Sequence, residues 1–463
     1  MSITTKLAAL ACIALLSGCA SQAEMASSDA LKAVVNQAQI ELPSLDPALR
    51  DATVKQVQHL LAEPLTLQSV GRIAVLNNPD FLADLSGLAI NAAELIQAGL
   101  LPNPGLRVVR SRDADGYTTE LDFSFDLFKL IFRGQNLAIA EQQANQQQQQ
   151  VALKLISLLT QSRSAYVNAV VAHQQFNYLL QVQQTIDASA ELANRMRQAG
   201  NYSELQQSRQ LKYAAEIKLQ LARSQQVQIQ SREALYRQLG LWGEQLSLTL
   251  PEHLPALPDT LVEQTPLESL ALTQRLDLIQ AKQRLSQLEL QLGLEKNSRF
   301  VRGLSAELTG STQHSVEREV ALGIELPLFD QGSTRLSKAE AQYQQAWWQA
   351  QALAINARSE VRESYSLLQS QYQIARHYQD RLVPLAKSIN QQNVLRYNGM
   401  LIGVFELIAD TQAQVQTVLG QMNALHDFYL AELRLKQTLW GSPTTVMPQS
   451  SASSSNSSAA AAH

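Results

Sequence analysis

Apolar residues recur along this chain at two periods, and the switch between them is written twice. From Gln135 to Gln198 they fall at helical spacing, as at Leu155, Leu158, Leu159, Ala165, Tyr166 and Ala169. No proline lies between Pro104 and Pro251. At 1.5 Å per residue such a helix would run ~95 Å, whereas globular helices average roughly three to four turns. Gly200-Asn201 then breaks the pattern, as a pair able to take left-handed backbone should. A second helix is expected from about Ser203 to Leu239.

Ahead of the long helix the period is two. Tyr117, Thr119, Leu121, Phe123, Phe125 and Leu127 alternate with Thr118, Glu120, Asp122, Ser124 and Asp126. One apolar and one polar face is the pattern of a strand. Asp113, Asp115 and Gly116 mark the turn of a hairpin over 106–127.

The same order returns about 200 residues later. Leu304, Ala306 and Leu308 alternate with Ser305, Glu307 and Thr309; Val320, Leu322, Ile324 and Leu326 alternate with Glu319, Ala321, Gly323 and Glu325. Helical spacing follows from Ser333 to Tyr397, breaks at Asn398-Gly399 and resumes to Leu439. Asp80-Phe81 is answered by Asp277-Leu278, Gly134 by Gly332, Gly200 by Gly399, and Leu239-Gly240 by Trp440-Gly441. Solenoid repeats span about 20–50 residues, so this longer period means two domain-sized halves. Gly200 and Gly399 are both expected at φ > 0, which glycine reaches most easily. Pro384 is expected to bend the second long helix, because it removes a backbone donor.

The organisation expected is therefore a signal peptide at 1–18, an N-terminal segment at 19–64 and a first repeat at 65–245. A linker at 246–265, a second repeat at 266–441 with its hairpin at 300–328, and a disordered tail at 442–463 complete it. The fold class is mainly α with a small β contribution, built on long antiparallel helical hairpins. Helix stripes of Ala, Leu, Gln and Ser suit a hollow bundle, and equally an antiparallel coiled coil.

Four strands cannot close a barrel alone, and a bilayer forbids open sheet edges. Alternation of apolar and polar faces suits a membrane barrel wall, for which three copies would pool twelve strands. A soluble sheet packed on a helix is the other reading.

Composition narrows the function. A net charge of −4 and a pI near 6.0 show no basic excess, which argues against nucleic acid as a partner. Lys6, the apolar stretch from Leu7 to Leu16, and Leu16-Ser17-Gly18-Cys19 describe an export signal too short to span a bilayer. Small residues before a Cys resemble a lipobox, so Cys19 is the expected lipidation site. Ala20 follows it where inner-membrane retention would resemble Asp. The mature chain would keep only Cys19, which excludes a disulfide framework. The histidines are scattered singly, without the i, i+4 zinc pattern, and no phosphate loop or nucleophile elbow is present. No catalytic residue, cofactor or metal site is expected.

Glu63-Pro64-Leu65-Thr66-Leu67, Asn77-Asn78-Pro79-Asp80 and Gln97-Ala98-Gly99-Leu100-Leu101-Pro102-Asn103-Pro104 resemble the opening segments of the TolC family of outer-membrane efflux ducts. Pro327-Leu328-Phe329-Asp330 with Gly332 resembles the exit from its second hairpin. Ala199-Gly200-Asn201-Tyr202-Ser203 and Arg396-Tyr397-Asn398-Gly399 resemble its two periplasmic tips. The resemblance implies a homotrimer with a shared twelve-stranded outer-membrane barrel and a helical tunnel. It implies a periplasmic adaptor and an inner-membrane efflux pump as partners, and no catalytic step. Gly200, Asn201, Asn398 and Gly399 would then form the adaptor-docking tips. Family members place an acid shortly after the second tip glycine; here Glu406 arrives about one residue late, with Asp410 one turn on. Both are candidates for the entrance gate. Glu120, Asp122, Asp126, Glu307, Glu319 and Glu325 are candidates for the lumen lining, while Arg107, Arg110 and Arg112 lie on a strand whose alternation assigns no face. Two competing readings are a periplasm-spanning structural lipoprotein without a pore and a periplasmic adaptor.

Overall fold

The computed structural model describes residues 29–44, 47–101, 103, 105–113, 116–125, 133–261, 265–297, 302–313, 315–325 and 333–441. Cys19, Asp126 and the tail beyond 441 lie outside them. In chain order the helices are α1 (Asp29–Ala38), α2 (Arg50–Ala62), α3 (Leu67–Asn77) and α4 (Pro79–Gly99). Strands β1 (Gly105–Asp113) and β2 (Gly116–Phe125) lead to α5 (Arg133–Gln198) and α6 (Glu204–Leu239). The second half repeats the order with α7 (Thr265–Gln274), α8 (Leu276–Asn297), β3 (Arg302–Gln313) and β4 (Ser315–Glu325). It ends with α9 (Ser333–His377), α10 (Val383–Asn398) and α11 (Val404–Trp440).

Helix α5 is continuous over 66 residues, roughly 100 Å at 1.5 Å per residue. Its counterpart is interrupted. A π turn at Tyr378–Leu382 separates α9 from α10, and the Val383 N–H donates to the carbonyl of Tyr378, five residues back. Pro384 cannot donate and its ring crowds the carbonyl four residues earlier. The wider turn just upstream absorbs both effects, so the proline is met by a bulge in the helix. Gly420 of α11 makes room beside it: a Cβ there would sit 2.8 Å from the Tyr378 ring.

Both junctions between repeat landmarks are tied by polar side chains. In the first half, Asn77 Nδ2 donates to the carbonyls of Leu239 (3.0 Å) and Gly240 (2.8 Å), and Asn78 Nδ2 to that of Gln238 (3.0 Å). Gly240 ends α6 at φ 66, where a Cβ would lie 2.5 Å from the Asn77 carbonyl oxygen. In the second half the corresponding role falls to Arg275, 1% exposed, which pairs with Asp277 at 2.7 Å and with Glu360 of α9 at 2.8 Å.

The main core lies where α3, α5, α6, α9 and α11 meet. It contains Val70, Ile73, Leu155, Val167, Leu235, Val361 and Phe428. Contacts between α5 and α11 join the halves there. The segment 246–261 crosses this level and is fixed by tyrosine hydroxyls. Tyr236 donates to the carbonyl of Leu246 (2.7 Å), Tyr429 to that of Pro255 (3.1 Å) and Tyr372 to that of Asp259 (2.9 Å). A smaller cluster of Ile186, Ala190, Tyr213, Ala214 and Ile217 packs α5 on α6 nearer the tip.

The two hairpins form one antiparallel sheet in the order β1-β2-β3-β4. β2 and β3 pair across almost 200 residues of sequence, from Glu120↔Ser311 to Phe125↔Ala306. The outer strands β1 and β4 each keep one unpaired edge within the chain.

Candidate functional site: a two-sided sheet and two helix-turn tips

Directly paired residues in an antiparallel ladder share a face, so the register sorts the sheet. One row runs Leu106↔Phe123, Phe123↔Leu308, Leu308↔Val320, and is wholly apolar. Next to it, on the other side of the sheet, runs Arg107↔Asp122, Asp122↔Thr309, Thr309↔Glu319. Glu120, Glu307 and Glu325 share that side, which unites the five described acids proposed for the lining.

The register also settles what alternation left open. Arg107 stands on the acidic side, opposite Asp122, while Arg110 and Arg112 stand on the apolar side, opposite Thr119 and Tyr117. Glu317, opposite Ser311, joins the acidic side and Arg302, opposite Glu325, is a second base there. Sequence reading missed Glu317 because it precedes the part of β4 where apolar alternation is clear.

The first tip closes as expected. Gly200 takes φ 77, and the Asn201 N–H donates to the Met196 carbonyl at 2.9 Å. The next helix starts at a capping box: the Gln206 N–H donates to Ser203 Oγ, and Gln206 Oε1 accepts from the Ser203 N–H at 2.7 Å.

The second tip departs from expectation by one residue. Gly399 has φ −81 and ψ 3, so it is not left-handed. Met400 takes that conformation instead, at φ 59, and the Leu401 N–H donates to the Arg396 carbonyl at 2.8 Å. The two turns share the hydrogen bond that reaches five residues back, so Gly200 corresponds to Met400 rather than to Gly399. Met400 is 93% exposed and Leu401 74%.

The candidate gate carboxylates have separate surroundings. Glu406 is exposed in the first turn of α11. Asp410 accepts a hydrogen bond from Nδ2 of the buried Asn393 on α10, which ties the two helices of the tip together. At the first tip Gln210, 2% exposed, plays the matching part by donating to Ser189 Oγ of α5 at 2.9 Å. Each hairpin thus carries one buried polar bridge near its turn, and only the second includes a carboxylate.

No protein-family model and no curated relative matches the sequence. Solved structures do match. The outer-membrane channel OprN aligns over 83% of this chain and 92% of its own, with a TM-score of 0.68 and 18% identity. The CmeC outer membrane channel of Campylobacter jejuni aligns over 81% and 85%, with a TM-score of 0.68 and 15% identity. The chain has a TolC-like channel fold. CusC, solved in a study of transmembrane channel formation, aligns over 84% and 92%, with a TM-score of 0.65 and 19% identity. Among the described residues no group of three or more His, Cys, Asp or Glu could hold a metal, and no helix is long and apolar enough to cross a membrane.

Proposed function

We propose that three copies of this chain form the outer-membrane channel of a tripartite efflux pump. The observation that carries this reading is the single four-stranded sheet, apolar on one side, whose free edges β1 and β4 run in opposite directions. The β4 of one copy can therefore pair antiparallel with the β1 of the next. Three copies close a twelve-stranded barrel and remove every edge, as a bilayer requires. Helices α5 and α6, and α9 to α11, then extend the duct through the periplasm.

The duct is passive. A periplasmic adaptor and an inner-membrane pump supply energy and choose the cargo, a small molecule or ion. The adaptor docks on the tips at Gly200, Asn201, Asn398 and Gly399, with Met400 and Leu401 as exposed apolar neighbours. Glu406 and Asp410 stand near the entrance. Cys19 carries the lipid that adds an anchor to the outer membrane. A non-pore structural lipoprotein would explain the lipid and the long helices, but not a sheet apolar on one side with two open edges. A periplasmic adaptor would not explain two hairpins joined in one sheet.

Native mass measurement of the detergent-purified protein should give three copies, and the same sample should conduct ions in a planar bilayer. A stable monomer, or a trimer without conductance, overturns the reading.

A further inference from the structure

The sheet separates its charges by side. Arg110, Arg112 and Arg318 stand on the apolar side, and no Asp or Glu occupies a paired position there. All the acids of the sheet stand on the other side.

These arginines are also sorted along the strands. The row Leu106–Phe123–Leu308–Val320 has no charge. One step toward the hairpin turns, Val108–Leu121–Gly310–Arg318 has one arginine. The next pairs, Arg110↔Thr119 and Arg112↔Tyr117, are basic and polar. The Arg110 guanidinium lies over the Tyr117 ring, 4.5 Å from its centroid, and both residues are exposed. Stacking on a ring uses the flat face of a guanidinium and leaves its N–H groups in the plane available.

In a barrel wall, an arginine facing lipid costs about 2–4 kcal/mol at the bilayer midplane and about 0–1 near the interface. A row of arginines with no carboxylate partner on its side therefore belongs at headgroup level. An arginine fork matches phosphate oxygens in bidentate fashion. The hairpin turns lie at the opposite end of the strands from the long helices, so in the channel they meet the external leaflet.

We infer that Arg110, Arg112 and Arg318 form a phosphate-binding belt around the outer rim of the barrel, and that its ligand is the phosphorylated glycolipid of the outer leaflet, lipid A. The belt rests on the channel reading above. Repeated around the trimer, it holds the barrel at a fixed depth and orders lipid against it.

The test uses the full-length trimer and the variant R110Q/R112Q/R318Q, each incubated with lipid A, dephosphorylated lipid A or phosphatidylglycerol. Bound lipid is counted by native mass spectrometry, and conductance is measured on the same samples. The unsubstituted trimer should retain lipid A and lose it when the phosphates are removed. The variant should retain about tenfold less, the effect of losing one charge-assisted contact, with conductance unchanged. R110K/R112K/R318K keeps the charge without the fork and should fall between. If dephosphorylated lipid A or phosphatidylglycerol binds the unsubstituted trimer as well as lipid A does, the belt is overturned. Equal retention by a conducting glutamine variant overturns it too. Absence of conductance in the unsubstituted protein overturns instead the channel reading and the belt with it.

Discussion

Met400 holds a left-handed backbone at the exposed end of a helical hairpin, where a side chain with a Cβ is disfavoured by about 1 kcal/mol. Met400→Gly should therefore raise the stability of the tip by about that amount, read as a later onset of local hydrogen exchange in 396–404. Gly399→Ala should be neutral, because at φ −81 the nearest atom to a Cβ is 3.5 Å away. Gly200→Ala should destabilise its tip, since φ 77 is strained for any L side chain even though the space is open. The opposite ranking of the two glycine variants would show that the turns are not equivalent in this way. A second residue-scale effect concerns the tyrosines. Burial, with the negative charge of Glu432 adding, pushes the Tyr429 hydroxyl up to about 12. Tyr166 is raised to about 12 by burial and by Tyr429. Both donate to backbone carbonyls, so folding favours the neutral phenol. A folded pKa above the unfolded value of about 10 means that this stabilisation is complete below pH about 10. It is lost as pH rises through about 12. Tyr429→Phe should remove one late-titrating phenolate from the ultraviolet titration and weaken the hold on segment 246–261. A titration in which every tyrosine ionises near pH 10 would sink this account.

At the scale of elements, the junctions and bulges decide how the long helices sit. Arg275 is buried between two carboxylates: burial alone would lower its pKa, and the hydrogen bonds and charges of Asp277 and Glu360 outweigh that and hold it above its ordinary value. Removing one partner of a buried pair costs about 3–5 kcal/mol, because the other charges stay behind unpaired. Arg275→Ala should therefore lower the melting temperature clearly while leaving unitary conductance unchanged. An unaffected melt would mean that Asp277 and Glu360 are solvated without their partner. The helices themselves were legible, since period and length set α5 and α6 and their ends follow from Ser203 and Gly240. Strand alternation likewise marked both hairpins. Three features were not. The π turn is a response to Pro384 that depends on space beside Gly420, a contact between distant helices. The one-residue shift to Met400 was hidden because glycine is the usual left-handed residue, and Gly399 stood next to the position that needed it. The pairing of β2 with β3 joins segments far apart in sequence, and no local pattern reports a partner.

For the whole molecule, the register of the sheet turns local alternation into a separation of charge. The acidic side carries Glu120, Asp122, Glu307, Glu317, Glu319 and Glu325 against Arg107 and Arg302. In the proposed trimer that side encloses the lumen and each acid recurs three times around it. Confinement between low-dielectric walls concentrates the field of such rings, and rings of carboxylates favour cations. The pore should therefore select cations, more strongly at low salt, where screening is weaker. The two arginines give the prediction a second sign. Arg107 stands opposite Asp122 and cancels part of its charge, so Arg107→Gln should increase cation preference. Neutralising Glu120, Asp122 and Glu325 together should reduce it. Reversal potentials under a KCl gradient measure both shifts. If selectivity is instead set at the periplasmic entrance by Glu406 and Asp410, neither set of sheet variants moves the reversal potential, and the lining assignment fails. If the two sets move it in the same direction, the acids and Arg107 do not face the same lumen, and the register-based division of the sheet fails with it.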